Sequence, residues 1–196
     1  MSVKVEHITK IYGRQKALDD VSFEVKGGQV VGFLGPNGAG KSTMMKIVTC
    51  FIPQTSGAVT VCGFDVTEQS VDVRKNVGYL PEHNPLYHEM YVKEYLDFIA
   101  DVRGIPYEQK KERIARFVDA LDLEGKQGDM ISSYSQGMKQ KVAIIGALLH
   151  RPRVLLMDEP LNGLDPKSAR LVKELIHGLA REGVSVMFST HILEIA

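Results

Sequence analysis

The stretch that decides the fold of this chain reads Gly35-Pro36-Asn37-Gly38-Ala39-Gly40-Lys41-Ser42-Thr43. It fits the pattern G-x-x-x-x-G-K-[ST] of a phosphate-binding loop. An apolar run, Val30 to Leu34, precedes it, and a helical pattern, Met44 to Val48, follows it. Strand, glycine loop and helix in this order form the context that the motif requires. The stretch therefore predicts a nucleoside-triphosphate site.

The residue types in this loop explain how it would hold phosphate. We expect positive φ at Gly35, Gly38 and Gly40, so that successive backbone N–H groups can turn inward around an anion. The N-terminus of the following helix adds a partial positive charge. Lys41 is expected to reach the terminal phosphates, and the Ser42 hydroxyl to bind Mg²⁺.

Composition narrows the class of protein. The 196 residues are enough for one well-buried core with room for a subdomain. Lys+Arg and Asp+Glu are both 24, so no net charge favours nucleic acid as the main partner. Cys50 and Cys62 are too few for a disulfide scaffold, which together with a phosphate loop indicates a reducing cytosol. Neither a signal peptide nor an apolar run of membrane-spanning length is present in this sequence, so we expect any membrane link to come through a partner.

Hydrophobic periodicity predicts strands on both sides of a helical stretch. A turn is expected at Gly13-Arg14-Gln15, between the first two strands. A short helix is expected from Val71 to Lys75. The predicted strands are Val3 to Ile11, Leu18 to Val25, Ala58 to Cys62, Val77 to Leu80, Val154 to Met157 and Val184 to Phe188.

From about residue 84 to residue 150 the pattern becomes helical. Tyr91, Tyr95, Phe98 and Val102 recur at the spacing of one helix face. Further helices are predicted around 114–121 and over 136–149. No strand candidate interrupts them, so we interpret residues 84–150 as a helical subdomain inserted into a core of residues 1–83 and 151–196. The alternative is that they are ordinary crossover helices.

Two adjacent carboxylates end the apolar strand that begins at Val154. Ligand sites of open parallel sheets lie beyond the carboxyl ends of the strands. Asp158 and Glu159 are therefore expected beside the phosphate loop if the two strands are neighbours. Mg²⁺ on phosphate oxygens needs only one or two carboxylates, which suits Asp158. Glu159 is placed to polarise a water that attacks the γ-phosphate, although both residues could simply end the strand.

Two further segments begin helices. Ser135-Gln136-Gly137 is an ordinary N-cap sequence and also an anion-binding helix terminus, so a second phosphate contact is an open alternative. Asp165-Pro166 predicts an N-cap followed by proline at the first helical position. The expected buried stripe of that helix is Leu171, Val172, Leu175, Ile176 and Leu179.

The set of motifs and the order in which they occur resemble the nucleotide-binding domain of ATP-binding cassette (ABC) transporters. The resemblance extends over the whole chain. The phosphate loop is similar to the family's Walker A motif, and residues 154–159 are similar to its Walker B motif with the catalytic glutamate Glu159. Ser135, Gln136 and Gly137 stand at the position of the family's signature motif. Walker A occurs in many NTPases, whereas this ordered set is close to specific for the family.

The resemblance implies further site residues. His191, after Phe188-Ser189-Thr190, occupies the position of the switch histidine. Asp165 falls in the D-loop, and Tyr12 lies where the family stacks an aromatic ring on adenine. Glu82, in Tyr79-Leu80-Pro81-Glu82, occupies the Q-loop and can approach Mg²⁺ through its carboxylate.

Three positions depart from the common family pattern. Gln136 replaces a glycine of the signature, Glu82 replaces a glutamine, and Asn162-Gly163 replace the usual small pair of the D-loop. The first two departures resemble bacterial ATP-binding subunits of drug-export, polysaccharide or gliding-motility systems. We therefore expect export rather than import.

The resemblance implies an α/β fold with a P-loop NTPase core, a mainly parallel sheet, an N-terminal antiparallel β region and an inserted helical subdomain. The implied activity is hydrolysis of ATP, with Mg²⁺, to drive transport through a separate permease subunit that spans the membrane. The chain would then be cytoplasmic, at the inner face of the cell membrane. Two cassettes would pair head to tail with ATP between them.

Alternatives from other classes stay open. They are a non-transport cassette acting on ribosomes or DNA, a P-loop kinase, and a regulatory protein that binds ATP without hydrolysing it. Family members continue beyond the switch histidine, so we expect the 196 residues to be a partial, single ABC ATPase domain.

Overall fold

The computed structural model describes residues 2–191. The fold is α/β, as predicted, with one parallel and one antiparallel sheet. The strands are β1 Val3–Tyr12, β2 Gln15–Val25, β3 Val30–Leu34, β4 Ser56–Val61, β5 Phe64–Asp65, β6 Val77–Leu80, β7 Val154–Asp158 and β8 Ser185–Thr190. The helices are α1 Lys41–Val48, α2 Ser70–Asn76, α3 Val92–Val102, α4 Tyr107–Ala120, α5 Gln136–Leu148 and α6 Pro166–Arg181, with a 3₁₀ turn at Ile131–Ser133.

The parallel sheet has the strand order β3-β8-β7-β6. The strand of the phosphate loop, β3, and the strand of the two carboxylates, β7, are therefore not neighbours, because β8 lies between them. The burial of β3, β7 and β8 agrees with this order. Every residue of β7 and β8 is buried, as in central strands covered on both faces, whereas β3 alternates between exposed and half-buried residues and lies at the edge among the described strands.

The antiparallel sheet has the order β2-β1-β4-β5. Its first hairpin is tighter than predicted, because Tyr12 pairs with Gln15 across a turn formed by Gly13 and Arg14 alone. The two-residue strand β5 was not predicted, since two residues are too short to show a period. Apolar residues of this sheet share one core with α1 and the parallel sheet, which fixes α1, and with it the phosphate loop, between the two sheets.

Helices α3, α4 and α5 lie between β6 and β7 in the chain. The helix face predicted from Tyr91, Tyr95, Phe98 and Val102 is not the buried face of α3. The buried residues are Val92, Tyr95, Leu96 and Ala100, while Phe98 and Val102 are exposed. This side of α3 packs on α5, where the Tyr95 ring lies beside Gly146. The three helices share a core with β7, β8 and α6, and the division into core and subdomain stays a prediction.

The predicted stripe of α6 is buried at Val172, Ile176 and Leu179 and half-buried at Leu171 and Leu175. Within residues 2–191, every helix is too short or too polar to span a bilayer.

Candidate active site

The phosphate loop joins the end of β3 to the first residue of α1. Gly38 and Gly40 take positive φ, +83° and +91°, in the left-handed region where glycine carries no steric penalty. Gly40 also lies against β2, since a Cβ there would be 2.5 Å from the Ala17 carbonyl oxygen. Gly35 differs from the prediction, because its φ is not positive. Its place is set by close packing instead, as a Cβ there would lie 3.2 Å from that of Ala39.

Lys41 holds its ammonium group over the loop that precedes it. The Nζ atom donates to the Gly35 carbonyl at 2.6 Å and to the Pro36 carbonyl at 3.1 Å. The only cation of the loop is thus placed at the loop itself rather than in bulk solvent. Carbonyl oxygens are weaker partners for an ammonium group than phosphate oxygens are, so this arrangement leaves Lys41 ready to exchange one for the other.

A cavity of about 300 Å³ brings together four segments that are separated in the chain. The phosphate loop and the start of α1 line it, and so do the three carboxylates that were singled out from the sequence. The lining residues are Ala17, Asn37, Gly38, Ala39, Gly40, Lys41, Ser42, Thr43, Glu82, Asp158 and Glu159. The predicted proximity of Asp158 and Glu159 to the loop is therefore found, although β8 separates their strand from β3.

Asp158 is buried at the end of β7 and is held by Ser189 of the neighbouring strand. The Ser189 hydroxyl donates to Asp158 Oδ1, and it accepts a hydrogen bond from the Glu159 backbone N–H at 3.2 Å. One hydroxyl therefore fixes both acidic residues. Burial, and then the charges of Asp158 and Glu82, raises the pKa of Tyr79 to about 12, which is consistent with two carboxylates on this side of β6.

Glu159 takes a backbone conformation that is uncommon for a side chain of its size. Its φ is +50°, in the left-handed region, where non-glycine residues are few and often functional. The turn directs the Glu159 carboxylate toward His191, and Glu159 Oε1 lies 2.9 Å from His191 Nδ1. Glu159 and His191 also line a second cavity of about 170 Å³ with Thr190 and residues 160–163.

The signature segment lies away from the phosphate loop of the same chain. Ser135 caps α5, as predicted, by accepting from the Met138 N–H at 3.3 Å. Gly137 and Gln136 pack instead on Gly163, where a Cβ on Gly137 would lie 3.3 Å from the Gly163 oxygen. Ser135, Gln136 and Gly137 are not among the described residues that line the phosphate cavity.

Asp165 has the N-cap position that its sequence predicts. Its carboxylate accepts from the Ser168 N–H at 3.1 Å and from the Ser168 hydroxyl at 2.6 Å. These bonds, first that of the hydroxyl and then that of the backbone, lower the pKa of Asp165. Within residues 2–191 its oxygens serve the start of α6 and do not line the phosphate cavity.

Tyr12 ends β1 and is 49% exposed. The Lys10 Nζ atom lies 5.0 Å from the centre of the ring, a cation–π contact. Tyr12 is not among the described residues lining the phosphate cavity, and its contact with adenine stays a prediction.

Three residues near the site were not predicted to belong to it: Ser189, Asn84 and Gln140. Ser189 bonds to the two acidic residues, while Gln140 bonds to Asn84 and to the Pro160 carbonyl. A polar residue at the end of the apolar strand β8 could have indicated Ser189. Nothing in the local pattern distinguishes Gln140 from an exposed helix residue, because its partners come from distant parts of the chain.

The donor set fits a phosphate-bound Mg²⁺ rather than a metal held by protein alone. The Ser42 hydroxyl and the carboxylates of Asp158 and Glu82 face one cavity, and oxygen ligands of this kind suit a hard cation. No cluster of three or more metal-ligating His, Cys, Asp or Glu side chains occurs in the part of the chain that the structure describes. The remaining ligands would therefore have to come from phosphate and water.

Comparison with known proteins identifies the same architecture elsewhere. A family model described as "ABC transporter" matches residues 18–162. The linearmycin resistance ATP-binding protein LnrL of Bacillus subtilis is 33% identical over 192 residues, which cover 98% of this chain and 62% of LnrL. The chain thus spans less than two thirds of that relative.

Two solved structures have the same fold. One, described as the ATP-binding subunit of an ABC transporter, superposes with a TM-score of 0.92 at 31% identity and covers 99% of this chain and 81% of its own. The other is a dimeric ATP-binding cassette in a post-hydrolysis state bound to ADP and phosphate. It has a TM-score of 0.90 at 26% identity and covers 99% of this chain and 90% of its own.

Proposed function

Because this chain belongs to the ABC transporter family, we propose that it binds and hydrolyses ATP to energise transport through a separate membrane-spanning permease. The observation that carries the proposal is the single cavity that Lys41 of the phosphate loop lines together with Asp158 and Glu159. A cation, N–H donors and carboxylates around one cavity suit a bound triphosphate whose terminal phosphate lies near a base.

The positions of the side chains support a separate role for each group. The loop N–H groups and Lys41 would hold the β- and γ-phosphates. Ser42, Asp158 and Glu82 would hold Mg²⁺ among the phosphate oxygens, and when bound this ion neutralises charge that develops during phosphoryl transfer. Tyr12 would stack on the adenine.

Glu159 is the proposed general base. A water aligned with the γ-phosphate would lose its proton to the Glu159 carboxylate as its oxygen bonds to phosphorus. The bond from phosphorus to the bridging oxygen breaks, and ADP leaves with that electron pair. His191 would keep the Glu159 carboxylate oriented through the 2.9 Å contact and would itself approach the γ-phosphate.

We infer that the full site needs two chains. Ser135, Gln136 and Gly137 form a capped helix N-terminus, yet they lie outside the phosphate cavity of their own chain. A second copy related by a two-fold axis would bring that terminus to the γ-phosphate, with Asp165 and its loop between the two sites. The dimeric cassette with a TM-score of 0.90 to this chain supports such a pair.

The permease and the direction of transport belong to the same proposal. Export is favoured by the likeness to a relative whose name refers to linearmycin resistance. The loop after Glu82 and the exposed side of α3, with Tyr87 and Phe98 in contact at 5.8 Å between ring centres, would meet the permease at the inner face of the membrane. Zero net charge gives no support to a nucleic-acid partner.

Release of inorganic phosphate from ATP tests the hydrolytic part of this proposal. We expect release that depends on both the chain and Mg²⁺ and that stops with EDTA. A kinase would instead transfer the phosphoryl group to an acceptor, and a regulatory binder would hold ATP without releasing phosphate. Either result would overturn the ATPase assignment. Isolation of the native chain with a membrane-spanning subunit would test the coupling to transport.

A further inference from the structure

Gln140 of α5 connects two segments of the proposed site through its side-chain amide. Its Nε2 donates to the Pro160 carbonyl at 3.1 Å, and its Oε1 accepts from Asn84 Nδ2 at 2.7 Å. The residue is 3% exposed. Pro160 directly follows Glu159, and Asn84 lies just after Glu82 in the chain. One buried amide therefore spans from the loop after Glu82 to the turn that carries the proposed base.

The chemistry of the partners fixes the direction of these bonds. The Pro160 carbonyl can only accept, so Gln140 presents its NH₂ group there and its oxygen to Asn84. Asn84 must then donate through its own NH₂ group, which directs its Oδ1 elsewhere. Asn84 Oδ1 is buried and has no hydrogen-bond donor within residues 2–191. Both hydrogen bonds are therefore donated in the same direction, from Asn84 to Gln140 and from Gln140 to Pro160. The unpaired buried acceptor, Asn84 Oδ1, lies at the start of this chain of hydrogen bonds.

The turn at Glu159 depends on a small number of restraints. Ser189 holds the Glu159 N–H, the Asn162 N–H donates to the Glu159 carbonyl at 3.1 Å, and Gln140 holds the Pro160 carbonyl. The turn has to keep Glu159 at a φ of +50°, which the chain does not favour by itself. Without the Gln140 donor, the buried Pro160 carbonyl would be unsatisfied, and the turn would shift to recover a partner.

We propose that Gln140 is a positioning residue for Glu159, and that Asn84 makes this positioning sensitive to the loop after Glu82. The inference rests on the proposed role of Glu159 as the base. When the loop holds Asn84 against Gln140, the amide is fixed and the Pro160 carbonyl stays in place. Displacement of the loop would free Gln140 and loosen the turn, so the position of the loop would alter the rate of hydrolysis without a contact to ATP.

A cycle of four proteins tests this coupling: wild type, Gln140→Met, Glu159→Gln and the double variant. Methionine keeps the length of the side chain and its helix propensity but removes the amide. We expect Gln140→Met to lower kcat by roughly 10- to 100-fold at unchanged KM for ATP, since a misplacement of about 1 Å can cost about 100-fold. In the Glu159→Gln background the same change should cost nothing further, because the base through which Gln140 acts is already absent.

Two other variants guard against a purely structural effect. Gln109→Met makes the same chemical change on the exposed side of α4, where Gln109 Oε1 contacts only Arg113 among the described residues, and it should keep the wild-type kcat. Asn84→Ala leaves α5 intact and tests the outer bond even if Gln140→Met fails to fold. It should lower kcat in wild type and have no effect beside Gln140→Met. All rates are compared well below each variant's thermal midpoint.

The outcomes separate this inference from the proposed function. A wild-type rate in Glu159→Gln would remove the base and with it the inference. A large loss in Glu159→Gln with normal kcat in both Gln140→Met and Asn84→Ala would overturn the inference alone. Losses that multiply across positions 140 and 159 would also overturn it, because they would show that Gln140 acts independently of Glu159.

Discussion

His191 Nδ1 lies 2.9 Å from Glu159 Oε1, although the residues are 32 positions apart in the chain. The Glu159 side chain is 12% exposed and the His191 side chain 50% exposed. The contact therefore joins a nearly buried carboxylate to a residue at the surface of the site, where a second chain could reach it. With Nδ1 protonated, the imidazole donates to the carboxylate and restricts its rotation.

His191→Ala should release this restraint while leaving the phosphate loop intact. We expect kcat for ATP hydrolysis to fall by roughly 10- to 100-fold because the base loses its orientation, with little change in ATP affinity. Steady-state phosphate release and equilibrium binding of ATP measure the two effects separately. His177→Ala, on the exposed face of α6, is the matched control and should behave as wild type.

Glu159→Gln preserves the size of the side chain but removes its charge and basicity. Hydrolysis should fall by roughly 10²–10⁴-fold, the usual contribution of a positioned acid–base group. ATP binding should persist, because Lys41, Ser42 and Asp158 still hold the phosphates and Mg²⁺. With the γ-phosphate intact, ATP should move this variant from monomer to dimer on a sizing column.

Ser135→Arg in the Glu159→Gln background tests whether that dimer uses the proposed contact. The larger side chain would occupy the helix N-terminus that approaches the partner's γ-phosphate, so the dimer should disappear while the monomer still binds ATP. A dimer unaffected by Ser135→Arg would contradict the head-to-tail arrangement.

Lys41→Ala should abolish productive ATP binding. The remaining N–H donors of the loop cannot replace a cation at the β- and γ-phosphates. Titration with a fluorescent ATP analogue and a phosphate-release assay would both report the loss. A folded Lys41→Ala protein with normal affinity and turnover would show that the loop is not the phosphate site.

Tyr12 gives a test of adenine recognition that separates the ring from its hydroxyl. If the ring stacks on the base, Tyr12→Ala should weaken ATP binding by about 1–3 kcal/mol, the range for base–aromatic stacking. Tyr12→Phe should bind almost as wild type, because it keeps the ring. Equal losses in the two variants would assign the effect to the hydroxyl instead.

The burial of His150 predicts how the free energy of unfolding depends on pH. Burial, followed by the charge of Arg103, lowers the pKa of His150 to about 4, and its Nε2 lies 2.9 Å from the Val77 carbonyl. The folded state favours the neutral form of His150. Its contribution to the free energy of unfolding is therefore fully present above the unfolded-state pKa near 6.5. That contribution is lost as the pH falls toward 4, by on the order of 3 kcal/mol.

Denaturant unfolding across this pH range would measure the effect of His150. His150→Gln keeps a donor for the Val77 carbonyl and cannot titrate, so its stability should fall less steeply between pH 6.5 and pH 4 than that of wild type. His177→Gln changes an exposed histidine and should retain the wild-type slope. Equal slopes in all three proteins would show that His150 is not buried in its neutral form.

The sequence by itself determined the local structures. The phosphate loop, the Ser135 and Asp165 caps and the strands ending at Leu80 and Asp158 follow from residue types a few positions apart. Glycine spacing, capping side chains and hydrophobic period act over one turn or one strand, so they can be read from neighbouring residues.

Only the tertiary structure decided which of these segments meet. It placed β8 between β3 and β7, set the buried face of α3 on the side of Leu96 rather than of Phe98, and joined Ser189 to Asp158 and Gln140 to Pro160. Such contacts depend on packing between elements and on the pairing of buried polar groups, which arise only when distant parts of the chain exclude water together. No periodicity within a single segment encodes that choice.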